Sequence, residues 1–187
     1  MNILEFLINN IPTILALAAT GVFGGVLAGL LGVGGGIVIV PVLFFLFQSF
    51  GVSPESAMVV ATATSLATIV PTSISSIRSH HHKGNVDFAL LKRWSGLILV
   101  GVLAGSWLVT RVDGTLLTAM FGVIATLSAL NMLFRTGKSA LFQQLPNRFG
   151  QSVMGSSIGF FSAMVGIGGG TLSVPILTLY NYPAHKA

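Results

Sequence analysis

Two short glycine clusters decide the fold of this chain: GVGGG at residues 32–36 and GIGGG at residues 166–170. Each cluster is followed five residues later by a proline. Aligning residues 21–43 with residues 155–177 gives nine identities in 23 positions. The chain therefore contains an internal repeat with an offset of 134 residues.

Long segments without charge surround both clusters and make up most of the chain. Of the 187 residues, 53% are apolar and only 7% are charged, against about 25% charged residues in a soluble domain. About 20 apolar helical residues cross the hydrocarbon core of a bilayer, so each such run is a membrane candidate. This composition predicts an all-α polytopic membrane protein and excludes a soluble globule, a disordered chain and a coiled coil. The charge-free runs are 6–54, 56–77, 94–110, 114–134 and 149–185.

Two basic loops indicate how the predicted spans are oriented. Residues 78–93 and 135–148 hold most of the Lys and Arg side chains, and the positive-inside rule places both loops in the cytoplasm. The runs 94–110 and 114–134 then form a helical hairpin whose tip faces outward. The helix over 55–77 must enter from outside and end in the cytoplasm.

The glycine clusters predict breaks in the two longest runs, because glycine costs about 1 kcal/mol relative to alanine inside a helix. If each broken run enters the membrane and returns to the same side, the three spans between the runs place the two copies on opposite sides, as an inverted repeat. If each run crosses the membrane fully, the two copies have the same orientation. We favour the inverted repeat with broken or re-entrant helices, since opposed broken helices form midplane binding sites in transporters. Close helix packing is the alternative use of these glycines. The chain then forms one transmembrane domain over 1–187, with the first repeat at about 12–134, the cytoplasmic loop at 135–148 and the start of the second repeat at 149–187.

The duplicated motif G-x-G-G-G-x4-P, with ATATSL at residues 61–66 after its first copy, resembles the sulfite exporter TauE/SafE family of the toluene-sulfonate-uptake-permease superfamily. The resemblance implies a secondary transporter in a bacterial inner membrane that exports small sulfur-containing oxyanions such as sulfite, thiosulfate or organosulfonates. Members of this family have two full halves, so the resemblance also predicts that this chain is truncated within its second repeat. A homo-oligomer or a second half supplied elsewhere would complete it.

An oxyanion at the midplane would meet no Lys or Arg, because none lies within an apolar run. The N–H groups of the glycine loops, the positive ends of the helices that restart after them, and nearby hydroxyl groups can replace its water instead. The alternative for each hydroxyl is a hydrogen bond to its own helix or to a neighbouring one. The predicted substrate-binding residues are Gly34, Gly35, Gly36, Thr62, Thr64, Ser65, Gly168, Gly169, Gly170 and Thr171.

Other classes of function find little support in the sequence. His80, His81 and His82 cannot share one helical face, so we predict a solvated loop and neither a metal site nor a cofactor. An intramembrane enzyme needs a nucleophile and a base, yet the only carboxylate between residues 94 and 134 is Asp113 in a turn, so we predict no catalytic residues. The basic residues lie in loops, which argues against nucleic acid as a partner. The alternative to a carrier is a non-transporting membrane scaffold or a half-transporter subunit.

Overall fold

The structure is a computed structural model that describes residues 11–31, 34–84, 86–134, 145–180 and 182. All regular secondary structure in these residues is α-helical, as predicted. Residues 135–144 of the second basic loop and the end of the second repeat, 183–187, lie outside the described residues. Seven helices are described: α1 (Ile11–Leu31), α2 (Gly36–Ser49), α3 (Pro54–His82), α4 (Phe88–Val109), α5 (Gly114–Phe134), α6 (Arg148–Val165) and α7 (Gly169–Leu179).

The helices carry an apolar outer surface. By length and composition alone, α3 and the Gly114–Asn131 part of α5 are each long and apolar enough to cross a membrane. Large apolar side chains remain exposed on successive helices, among them Val70 at 60%, Leu99 at 57% and Leu127 at 61%. Soluble proteins rarely expose such extensive apolar surface, whereas lipid tails cover it without cost.

Helices α4 and α6 run parallel in close contact along a seam of glycines. A Cβ atom added to Gly101 would overlap the carbonyl oxygen of Ser156, and one added to Gly105 would overlap that of Phe160. Gly159 of α6 packs in the same way against the backbone of α4. Because the pairs advance together along both helices, α4 and α6 begin at the same end of the bundle. We call it the Asp87 end, after the residue that precedes α4.

The opposite end of the bundle, which we call the Glu55 end, holds the starts of α3 and α5. A Cβ on Gly114, the first residue of α5, would overlap the carbonyl oxygen of Glu55 near the start of α3. Helix α2 ends here as well, because only a short turn separates it from α3. The α2 and α3 helices share the larger cluster of buried apolar side chains, which includes Val40, Leu43, Met58 and Ala61.

The chain reverses direction between α6 and α7. Helix α6 begins at the Asp87 end, and Leu177 near the end of α7 packs with Trp94 in a buried cluster at this same end. The Tyr182 hydroxyl then donates a 2.6 Å hydrogen bond to Oδ2 of Asp87. Desolvation by burial, together with Asp87, raises the pKa of Tyr182 to about 12, so its hydroxyl remains a donor at neutral pH.

The chain also reverses between α1 and α2. A Cβ on Gly24 would lie 3.1 Å from Cγ1 of Val38. In one straight helix these two residues would be about 21 Å apart along the axis. The free ends of the α1–α2 pair, away from its glycine turn, therefore lie toward the Glu55 end. Those of the α6–α7 pair lie toward the Asp87 end.

Candidate functional site

The two glycine clusters meet each other. A Cβ added to Gly36 would overlap the carbonyl oxygen of Gly166 and lie 2.5 Å from Cα of Ile167. A Cβ added to Gly34 would lie 3.3 Å from Oγ1 of Thr171. Only a residue without a side chain permits so close an approach of two backbones. We call this contact the glycine junction, formed by residues 34–36 and 166–171.

A new helix begins within each glycine cluster. Gly34, Gly166 and Gly168 have φ angles of 75°, 71° and 82°, in the left-handed region that other residues rarely adopt. The last glycines of each cluster are instead helical, since α2 begins at Gly36 and α7 begins at Gly169. The chain thus turns over a few residues and then starts a new helix at once.

Two predicted hydroxyl residues of α3 reach the junction. Ser65 is fully buried, and its Oγ donates a 2.7 Å hydrogen bond to the carbonyl oxygen of Gly166. Thr62 is 1% exposed, and its Cγ2 lies 3.0 Å from the position of a Cβ on Gly166. The Thr62 Oγ1 atom is buried and has no hydrogen-bond partner among the described residues. A buried hydroxyl without a partner is rare in folded proteins.

The other predicted hydroxyls are placed differently. Thr64 is only half-buried, and it lies about 200° around α3 from Thr62, away from the junction. Thr171 is buried at the junction, where its Oγ1 lies 3.5 Å from the carbonyl oxygen of Ile167 in the turn before it. The structure thus brings together Thr62, Ser65, Thr171 and the glycines Gly34, Gly36 and Gly166. Thr64 lies elsewhere, and a Cβ built on Gly169 or Gly170 would meet no described atom within 4 Å.

The N-terminal ends of α2 and α7 both face the junction without a side-chain cap. Their N-cap residues, Gly35 and Gly168, offer no side-chain hydrogen bond. By contrast, Ser53 caps α3, and Asn147 caps α6. An uncapped helix start leaves backbone N–H groups unpaired and carries about half a positive charge. Gly169 and Gly170 of α7 are exposed, so the first turn of this helix is not covered by other described residues.

Gly166 is the residue that the sequence-based prediction of the site missed. Its carbonyl oxygen accepts the hydrogen bond from Ser65, and Thr62 and Gly36 both pack against its backbone. The signal was present, since a glycine occupies the equivalent position 32 in the first copy of the repeat. Its role was not evident because it depends on α3, which is a hundred residues away in the sequence.

Two further places in the bundle do not form a convincing site for an anion. An open cavity of about 340 Å³ at the Glu55 end is lined by Phe44, Pro54, Glu55, Thr115, Thr118 and Ala119, so its one charged side chain would repel an anion. No group of three or more His, Cys, Asp or Glu side chains suited to a metal ion occurs in the described part of the chain. The loop predicted at His80, His81 and His82 is wrong, because these exposed residues form the last turn of α3. His81 packs edge-on against Phe88, with ring centroids 5.5 Å apart.

Comparison with known proteins gives a consistent answer. The family model described as sulfite exporter TauE/SafE matches residues 17–187. A protein of Haemophilus influenzae described as a probable membrane transporter protein is 33% identical over 165 residues, which cover 88% of this chain and 62% of the relative. A protein of Methanocaldococcus jannaschii with the same description is 30% identical over 182 residues, covering 91% of this chain and 64% of the relative. The chain thus spans less than two thirds of the length of these curated relatives. No solved structure matches the chain.

Proposed function

Because this chain belongs to the sulfite exporter TauE/SafE family, we propose that it forms part of a secondary membrane transporter for small sulfur-containing oxyanions. Sulfite, thiosulfate and organosulfonates are the substrates that we expect, with export as the direction of transport. In this role the chain moves the anion across the membrane and catalyses no chemical reaction. It places the protein in the inner membrane as a multi-pass protein.

Within this transporter, we propose that the α1–α2 and α6–α7 pairs are re-entrant hairpins of an inverted repeat. The supporting observation is that the two pairs open toward opposite ends of the bundle while their glycine turns touch. Hairpins that enter from opposite faces of a membrane bring their turns together near the midplane. The basic segment 78–93 comprises the end of α3, the turn after it and the start of α4. With this segment and the loop 135–148 in the cytoplasm, the Asp87 end is the cytoplasmic one.

The single observation that carries the proposed anion site is the meeting of two uncapped helix N-termini beside the Thr62 hydroxyl, which has no partner in the described part of the chain. A buried hydroxyl without a partner destabilises a protein by about 1–3 kcal/mol, and a ligand that accepts its hydrogen bond removes this penalty. Backbone N–H groups supply positive potential without a charged side chain, which would cost roughly 2.5–3.5 kcal/mol to insert at the bilayer centre. Such a site binds moderately, as a carrier that must release its substrate requires.

Replacement of Thr62 by valine tests this site, because valine keeps the shape of the side chain and removes the hydroxyl. We expect Thr62→Val to weaken sulfite binding by about 1–3 kcal/mol without lowering thermal stability, since the hydroxyl has no hydrogen-bond partner to lose among the described residues. Isothermal titration of sulfite into the purified chain in detergent measures the affinity. The control is Thr72→Val, because the Thr72 hydroxyl bonds to its own helix on an exposed face.

Two results of this titration would contradict the proposed site. One is an unchanged affinity in Thr62→Val, which would remove Thr62 from the binding residues. The other is the absence of saturable sulfite binding by the unmodified chain, which would favour the alternative of a non-transporting scaffold or half-transporter subunit.

Cysteine labelling tests the orientation in the membrane, and the natural chain contains no cysteine to interfere. Ser79 and Thr110 are exposed near the Asp87 and Glu55 ends respectively. In intact cells, we expect an impermeant maleimide to label Thr110→Cys and to reach Ser79→Cys only after the membrane is opened. The reverse pattern would show that the basic segment 78–93 is external.

A further inference from the structure

We propose that the face of α1 that carries Gly21 and Gly25 receives a transmembrane helix of the same kind as α4. This helix belongs to the part of the longer relatives that this chain does not match. The inference concerns assembly and does not depend on which substrate is bound.

The second copy of the repeat shows what this face does when it is occupied. Gly155 and Gly159 of α6 are the repeat equivalents of Gly21 and Gly25. Both are buried under α4: a Cβ on Gly155 would lie 3.3 Å from Cβ of Leu97, and one on Gly159 would overlap the carbonyl oxygen of Ile98. The glycines therefore serve to bring the backbone of a parallel helix into contact.

The first copy presents the same two glycines on an open face. Gly21 and Gly25 are exposed, and no atom of the described residues lies within 4 Å of a Cβ built on either. The adjacent Val22 and Val26 are 66% and 56% exposed. Each glycine weakens an isolated helix, and close packing of another helix is the usual compensation in a membrane.

The occupant that fits this face is an apolar helix with small residues of its own, because both α4 and α6 contribute glycines to their seam. A second copy of this chain cannot supply it through α4, since the glycine face of α4 is already covered by α6. The relatives have room for such a helix, because this chain spans only 62% and 64% of their length.

A disulfide assay with a synthetic peptide tests the inference directly. The probe is a peptide with the sequence of residues 88–109 and the change Leu97→Cys, added to the full chain carrying Gly21→Cys in lipid vesicles. Because Gly155 faces Leu97 in the occupied copy, we expect a peptide–chain disulfide at Gly21→Cys. Its yield should be about ten times that of Phe23→Cys, a matched control that is 72% exposed but faces the other side of α1.

A second variant separates docking from folding. Adding Gly25→Ile to the Gly21→Cys chain should abolish the disulfide, because the larger side chain holds the helices apart. The helix content and thermal unfolding of the chain should not change, since no described atom lies near Gly25. Equal yields at positions 21 and 23, or a disulfide that survives Gly25→Ile, would overturn the inference. Disulfides between two chains that outnumber the peptide adduct would also overturn it and would identify a second copy as the occupant. No anion is present, so failure here leaves the proposed transport function untouched.

Discussion

Gly36→Ala is expected to force α2 away from the turn between α6 and α7 and to destabilise the chain by about 3 kcal/mol. The added Cβ would overlap the carbonyl oxygen of Gly166 and lie 2.5 and 2.7 Å from two backbone atoms of Ile167. These are main-chain atoms, so no rotation of a side chain can relieve the overlap. Loss of the contact separates the two helix N-termini, so sulfite binding should be lost as well.

The control for this variant comes from the repeat itself. Gly170 is the equivalent of Gly36, it lies in the first turn of α7, and no atom of the described residues lies within 4 Å of a Cβ built on it. Gly170→Ala should therefore leave thermal stability unchanged or raise it slightly, because alanine favours a helix more than glycine does. Thermal unfolding in the same detergent compares the two variants. Equal stability of Gly36→Ala and Gly170→Ala would show that the backbones are not in contact at the junction.

Gly101→Val is the second change for which we expect a large loss of stability, also about 3 kcal/mol. The Cβ alone would overlap the carbonyl oxygen of Ser156 and lie 2.9 Å from the backbone nitrogen of Phe160. Valine must push α6 away from α4, which removes the close packing of these two helices.

The matched control is Gly96→Val on the same helix, where the side chain would point into open space among the described residues. Both substitutions replace a helical glycine by the same residue, so their helix propensities cancel in the comparison. Thermal unfolding followed by circular dichroism should show a much lower midpoint for Gly101→Val than for Gly96→Val. If both variants unfold at the same temperature, the seam does not hold α4 and α6 together.

The sequence predicted the helices of the central part of the fold closely, because charge and apolar run length are local properties. The run 114–134 coincides with α5. The run 94–110 covers most of α4 but omits its first six residues, and the helix predicted over 55–77 continues as α3 to His82, because charged and histidine residues at a helix end need not stop the helix. The glycine clusters also interrupt the helices where expected. The inverted arrangement of the repeat remains a proposal that the contacts support.

The details of the candidate site depend on distant contacts and were less predictable. Thr62 and Thr64 are both threonines on α3, so the sequence does not distinguish them. The rotation of α3 about its axis relative to Gly166 decides which of them faces the junction. Gly101 and Gly105 have the four-residue spacing of a packing motif, but their partner α6 follows only after another full helix. A local pattern cannot identify which helix completes it.

The most direct test of the anion site observes its backbone N–H groups. Sulfite titrated into the chain labelled with ¹⁵N-glycine should cause saturable amide shifts at Gly168, Gly169 and Gly170 of the second cluster and at Gly34 and Gly35 of the first. Backbone assignment of the unmodified chain identifies these signals, because alanine at Gly34 or Gly168 would strain the turn. The amides of Gly101 and Gly105, in the seam between α4 and α6, should not respond. Saturable shifts at the seam glycines with none at the junction, or no saturable shift at any glycine, would contradict the account.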